Sequence, residues 1–414
     1  MGKVVVIGGG AAGLMAAYAA GSGGAQVTLL ERNEKLGKKI YITGKGRCNL
    51  TNDCPPDDFL EHVVRGGKFL TGAVWSFSPE DMMALCERFS LPLKVERGNR
   101  VFPVSDHASD VTKMLERACL SVGVDIRLNE YVTKIDVLHS TMRDIISEKS
   151  RFSAHSVVIA TGGLSYPSTG STGDGLTFAK GLGHTIVPCV PSLVGLNCRG
   201  DFSALQGVSL KNVCLFVKRG GKVIFSEQGE MLFTHYGISG PLVLSLSARI
   251  NRLPFSELAC FLDFKPALDR EKLDARLVRD LSERKNEQMK NVMRGLLPAA
   301  LCGPVLSAAG IAAHKQANAV TREERFSLLS ALKHFPLAIS SLRGFEEAVV
   351  TSGGVDTREV SSKTMESKRS PGVFFAGEVL DADAYTGGFN LQIAFSTGYT
   401  AGLAAAKHAQ NPEE

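Results

Sequence analysis

Residues 4–13, Val-Val-Val-Ile-Gly-Gly-Gly-Ala-Ala-Gly, decide how this chain is read. Val4 to Ile7 is an unbroken apolar run, the pattern of a parallel strand buried on both faces. Gly8-Gly9-Gly10-Ala11-Ala12-Gly13 then fits G-x-G-x-x-G, and Leu14 to Ala20 continues as a helix. In such a turn Gly8 permits the tight bend, Gly10 lets backbone approach a pyrophosphate, and Gly13 lets helix and strand pack closely. The helix start offers N–H groups and a positive dipole end to the phosphates. Gln26 to Leu30 reads as a second strand, and Glu31 follows it, 18 residues beyond Gly13. That is the place of an acid that accepts from ribose hydroxyls. The opening is a β-α-β dinucleotide site, for FAD or NAD alike.

Working outward, 414 residues suggest two or three domains. With 44% hydrophobic and 21% charged residues the balance is globular, and a net charge of +5 comes from dispersed Lys and Arg. No basic tract points to a nucleic-acid partner. The nine cysteines are scattered without C-x-x-C or metal-ligand spacing, which suits reduced thiols in the cytoplasm and no metal site. Residues 4–20 faintly resemble a signal peptide, but Gly8, Gly9, Gly10 and Gly13 interrupt them, and no apolar run is long enough for a membrane span.

Residues 37–52, rich in Gly, Lys, Thr and Asn, show no period and predict an ordered loop. Ser78-Pro79 predicts a helix start and Ser105-Asp106 opens another helix that ends at Gly123. Beyond residue 190 the character changes. Val213–Lys218 and Lys222–Ser226 flank Gly220-Gly221, a hairpin signal. Asp269 to Arg294 is charged and helical, with Leu273, Leu277 and Leu281 on one stripe, and Thr321-x-x-Glu324 is a capping box. From Val349 the β/α pattern returns and closes on a small-residue helix, Leu391 to Lys407. The expected fold is α/β: a split Rossmann-like dinucleotide domain (1–190 and 346–414) interrupted by a β-rich insert (191–267 and 335–345) and a small helical insert (268–334).

Three further segments favour FAD. Val157 to Gly163 is a buried strand entering a Thr161-Gly162-Gly163 turn. Phe374-Phe375-Ala376-Gly377-Glu378 resembles the strand-Gly-acid motif by which flavoproteins of the two-dinucleotide-domain type hold the ribityl chain. Gly387-Gly388-Phe389-Asn390-Leu391 would set another helix N-terminus against a flavin.

The chain resembles the bacterial flavoprotein family labelled BaiN-like or aminoacetone-oxidase-like. The matching stretches are ITGKGRCNLTN (42–52), ATGGLSYPSTGSTGDG (160–175), LFTHYGISGP (232–241), TSGGV (351–355), TMESK (364–368) and AGEVLDADAYTGGFNLQIAFSTG (376–398). The resemblance implies an NAD(P)/FAD-dependent oxidoreductase and carries cofactor contact to Gly8, Gly10, Gly13 and Glu31 in the first motif. It does the same for Arg47 and Asn49, for Gly162, and for Gly377, Glu378 and Asn390. The neighbouring Ala11, Ala12, Gly46, Cys48, Val132, Thr161, Gly163, Gly388, Phe389 and Leu391 complete the expected cofactor-binding set. Ala384 stands where glycine is expected and Phe389 where tyrosine is expected.

Cys48 reads as a packing residue, with direct chemistry the alternative; it has no resolving cysteine nearby in sequence. His235, in Thr234-His235-Tyr236-Gly237, is the candidate acid/base, or else a structural histidine; Tyr166 is the next candidate. The expected activity is hydride transfer between FAD and a small organic substrate. A single G-x-G-x-x-G leaves NAD(P)H as a transient reductant. The alternatives are a flavin-dependent RNA-modifying protein and a non-catalytic flavin-binding regulator.

Overall fold

The computed structural model describes residues 2–139 and 142–411. They divide into one unit of residues 1–192 with 345–414 and a second of residues 193–344.

The first unit is built on five parallel strands in the order Val373–Phe375, Ser156–Ile159, Lys3–Ile7, Gln26–Glu31 and Asp125–Leu128. Val4 to Ile7 are buried throughout, as a central strand covered on both faces requires. The helix Ala11–Ser22 leads from the first strand to its neighbour Gln26–Glu31, while Ser156–Ile159 lies on the opposite flank. The topology therefore reverses beside the first strand, at its carboxyl end.

The last helix, Phe389–Gln410, lies on Ala11–Ser22 at very short range. A Cβ on Gly398 would stand 2.3 Å from Ala12 O, and one on Gly402 would stand 2.2 Å from Ala16 O. The small residues read in this segment are what allow the close approach. Its Phe395, Ala401 and Ala405 share one core with the strands.

Ser78 caps Pro79–Arg88 in a full capping box with Asp81, and the next long helix runs Ala108–Ser121. The predicted loop at 37–52 instead begins with a short helix, Lys38–Ile42, and a 3-10 turn, Thr43–Gly46. Ile40 is its single buried side chain, too little for a periodic signal.

The second unit carries a seven-stranded antiparallel sheet whose longest pair, Ser209–Arg219 and Lys222–Thr234, turns at Gly220-Gly221 with φ of +54° and +80°. Positive φ at both turn positions is the reason glycine fills them. Thr321 and Glu324 form the capping box of Arg322–Lys333. The helix expected to reach Arg294 ends at Glu283. Residues 282–288 hold no apolar side chain, so continuation would bury nothing. Leu273, Leu277 and Leu328 join the same core as Leu215 and Leu262 of the sheet.

Among the described residues no helix is long and apolar enough to cross a membrane, and no group of three or more His, Cys, Asp or Glu is placed to hold a metal ion.

Candidate functional site

Four adjacent parallel strands end at the same edge of the sheet. Lys3–Ile7 ends at Gly8, Gln26–Glu31 ends on Glu31, Ser156–Ile159 runs into Thr161-Gly162-Gly163, and Val373–Phe375 runs into Gly377-Glu378. Segments 370 residues apart, Gly8 and Glu378, so end at one edge of the sheet.

The Gly-rich turn is tight where it must be and open where a ligand belongs. Gly8 has φ +103°, and a Cβ there would lie 2.5 Å from Ala160 O. A Cβ on Gly13 would lie 1.8 Å from Gly8 O. At Gly10 a Cβ would meet nothing within 4 Å. Gly10 is also the N-cap of Ala11–Ser22, and no side chain caps the helix. The first turn of this helix is thus without a side-chain cap and the space beside Gly10 is open, which suits a pyrophosphate. Glu31 is buried, yet Oε2 accepts from Gly9 N at 2.6 Å and Oε1 from Asn33 N at 2.8 Å. Thr161 Oγ1, at the next strand end, is buried without a hydrogen-bond partner. An open helix N-terminus and a fixed carboxylate fit the phosphate and hydroxyl groups of a dinucleotide, whereas the Thr161 hydroxyl packs under Gly175, where a Cβ would lie 2.1 Å from it.

Glu378 is the most densely held group. Oε1 accepts from Thr351 N at 2.8 Å and from Ser165 Oγ, while Oε2 accepts from Lys39 Nζ. Burial works to raise its pKa, but the Lys39 charge and these bonds outweigh it and hold the carboxyl below its ordinary value. Lys39, Ser165 and Thr351 stand outside the candidate set expected from the sequence. The signal available for them was weak: Ser165 and Thr351 lie within matched family stretches, and Lys39 follows the glycine at 37.

A second group joins residues 49–52 to the start of the last helix. Asn49 Oδ1 accepts from Gly388 N at 3.0 Å and its Nδ2 donates to Thr51 O at 3.1 Å, with the amide oriented to satisfy both. Thr51 Oγ1 donates to Gln392 at 2.7 Å. Asn390 is turned onto its own chain, accepting from Ala384 N at 2.9 Å and donating to Ala384 O at 2.8 Å. Leu391 is partly buried against the main core.

The remaining expected residues have the following surroundings within the protein. Arg47 pairs with Glu96 and with Asp106 at 2.7 Å and lies over the Phe102 ring, so its charge is committed to carboxylates. The Phe389 ring is buried, 4.4 Å from and stacked on His62. Cys48 is fully buried, and desolvation pushes its thiol up to about 12, which leaves no thiolate for chemistry. Gly46 closes the 3-10 turn with φ +86°, and Val132 is buried at the start of its strand.

Tyr166 adjoins Ser165 in the first unit, half-buried, with the left-handed φ of +51° that non-glycine residues seldom adopt. Burial first, and then the nearby Glu347 charge, push its phenol up, so it keeps its proton. His235 belongs to the second unit, exposed at the turn between Lys222–Thr234 and Gly237–Ser239, its ring edge-on to Tyr236 at 5.1 Å.

The model of the HI0933-like protein Rossmann domain family matches residues 2–404. A 3-dehydro-bile acid delta(4,6)-reductase of Clostridium scindens is 33% identical, over 98% of this chain and 100% of that protein. A ribosomal RNA dihydrouridine synthase of Escherichia coli is 30% identical, over 95% of this chain and 96% of that one. Among solved structures, a 3-ketosteroid-delta4-(5alpha)-dehydrogenase from Rhodococcus jostii RHA1 superposes with a TM-score of 0.53 at 16% identity, covering 98% and 97% of the two chains. That last likeness is one of fold.

Proposed function

This chain belongs to the HI0933-like Rossmann flavoprotein family, and from that premise we propose that it is an FAD-dependent reductase of carbon–carbon double bonds conjugated to a carbonyl. One observation carries the substrate class. The two relatives differ in substrate size, yet both names describe saturating an electron-poor C=C: a dienone in a 3-dehydro-bile acid, and the C5–C6 bond of uracil in RNA. Bound FAD supplies the hydride. The chain's residues do the rest.

Gly8 to Gly13 and the first-turn amides would hold the pyrophosphate, Glu31 the ribose hydroxyls, and Gly377-Glu378 the ribityl chain. Addition of hydride to one carbon leaves an enolate, and its α-carbon needs a proton. Tyr166 is the donor we favour, because it follows Ser165 of the Glu378 cluster in the chain and its phenol is kept protonated. His235 is the alternative donor. NAD(P)H is the proposed reductant, reaching the flavin transiently, since the sequence holds one dinucleotide fingerprint.

The test is anaerobic reduction of the holoprotein followed by mixing with conjugated enones, isolated ketones, uridine-containing RNA and oxygen. Reoxidation by enones, with isolated ketones inert, supports the reading; a flavin that only oxygen reoxidises sinks it. A second reading, RNA as the substrate, is favoured by the synthase relative. Preference for RNA with steep salt dependence would replace the small molecule by a nucleic acid.

A further inference from the structure

Lys39 has no part in the dinucleotide fingerprint, yet it stands against the one carboxylate at the end of Val373–Phe375. Its Nζ donates to Glu378 and to Ser165 Oγ, the latter at 2.5 Å. Thr351 Oγ1 accepts from Leu164 N at 2.8 Å and from Ser165 N at 3.1 Å, which fixes the serine in turn. A Cβ on Gly163 would lie 2.5 Å from Thr351 Oγ1 and 3.1 Å from Glu378 Oε1, so a residue without a side chain is what lets this backbone pass so close to the cluster. Three distant segments converge to hold one negative charge on a fourth. The side chains of Lys39 and Glu378 are only 23% and 18% exposed.

Such an ion pair contributes little to stability by itself, because desolvation offsets attraction. Its placement suggests another use. Reducing a flavin adds electrons, and an unneutralised carboxylate at the ribityl-binding motif would oppose them.

We infer that Lys39 is a positioning residue of the flavin site, orienting Glu378 toward the cofactor and cancelling its charge so that the flavin is both held and readily reduced. This rests on the FAD reading above.

The full-length chain, stripped of flavin, is titrated with FAD by fluorescence quenching, and the reconstituted protein is equilibrated with reference dyes for its midpoint potential. Lys39→Met is expected to weaken FAD binding by about tenfold or more, because it strands a partly buried charge, and to make the potential more negative. Lys39→Arg should restore both. The double variant Lys39→Met with Glu378→Gln should bind FAD more tightly than Lys39→Met alone. Glu378→Gln alone should raise the potential, a readout that remains if Lys39→Met does not fold. Wild-type affinity and potential in Lys39→Met, no rise in Glu378→Gln, or a double variant as weak as Lys39→Met overturns the inference. A wild-type chain that takes up no FAD overturns the cofactor reading itself and this inference with it.

Discussion

The backbone amide of Gly9 donates to Glu31 Oε2 at 2.6 Å, tying the first turn of the fold to the end of the second strand. The other oxygen of Glu31 accepts from both Asn33 N and Asn33 Nδ2, the latter at 2.6 Å. One buried carboxylate thus sets two turns that face the same crevice.

Glu31→Ala leaves the Gly9 and Asn33 amides without an acceptor, a cost of about 1–3 kcal/mol for each buried donor. Both the melting temperature and FAD affinity are expected to fall, with Glu31→Gln between the variant and wild type. Unchanged FAD affinity in Glu31→Ala would show that the ribose is held elsewhere.

Two glycines of the same turn should behave differently. Gly10→Leu is expected to fold, since its side chain enters open space, but to purify colourless and to take up no FAD. Gly13→Ala would drive a Cβ to 1.8 Å from Gly8 O, so it should lower the melting temperature whether or not FAD is present. Wild type should release FAD rather than FMN on denaturation. A yellow, saturable Gly10→Leu protein contradicts this account of the cradle.

Tyr166→Phe is expected to keep its flavin and lose about a hundredfold in the rate at which reduced flavin reacts with an enone. His235→Ala, exposed on its hairpin turn, should stay within a few-fold of wild type if Tyr166 is the donor. Stopped-flow traces with the reverse pattern would move the proton to His235.

Asp383 gives a prediction in pH. It is fully buried, and Ser192 Oγ donates to its Oδ2 at 3.0 Å. Burial pushes the carboxyl up to about 6 from an ordinary 3.8, against the Ser352 and Ser192 hydroxyls and the Arg65 charge, with Asp381 adding to the rise. The folded state then holds a proton that the unfolded chain releases, so this group's stabilising contribution is present below about 3.8 and is lost as pH rises through about 6. Asp383→Asn, whose amide can donate toward Ser352, should flatten the stability profile across that window. Denaturant melts showing the same slope in both proteins would disprove it.

Cys48 should resist alkylation in the native protein, because its thiol is buried and held near 12. Rapid labelling at Cys48 under native conditions, read by peptide mass, would reopen a redox role.

The opening thirty residues were legible because their determinants are local. Val4 to Ile7 must be buried on both faces, Gly8 and Gly13 answer contacts a few residues away or on the next strand, and Glu31 follows at the end of the second strand. Gly220-Gly221, the Ser78 cap and the Thr321 box were legible for the same reason: each depends on φ or on a bond spanning three residues. Tertiary structure alone decided the rest. Arg47 is expected at the cofactor beside Asn49, and the partners of its side chain are set by the strands at Arg100–Pro103 and Leu93–Glu96, which bring Phe102 and Glu96 to it, with Asp106 following. Phe389 went to His62 because Phe59 and Leu70 complete an apolar cluster there. Lys39 carries no periodic or motif signal, and its partner Glu378 lies 339 residues away. Hydrophobic period and turn chemistry report a residue's neighbours along the chain, whereas the partner of a charge is chosen by which strand ends the sheet order places side by side.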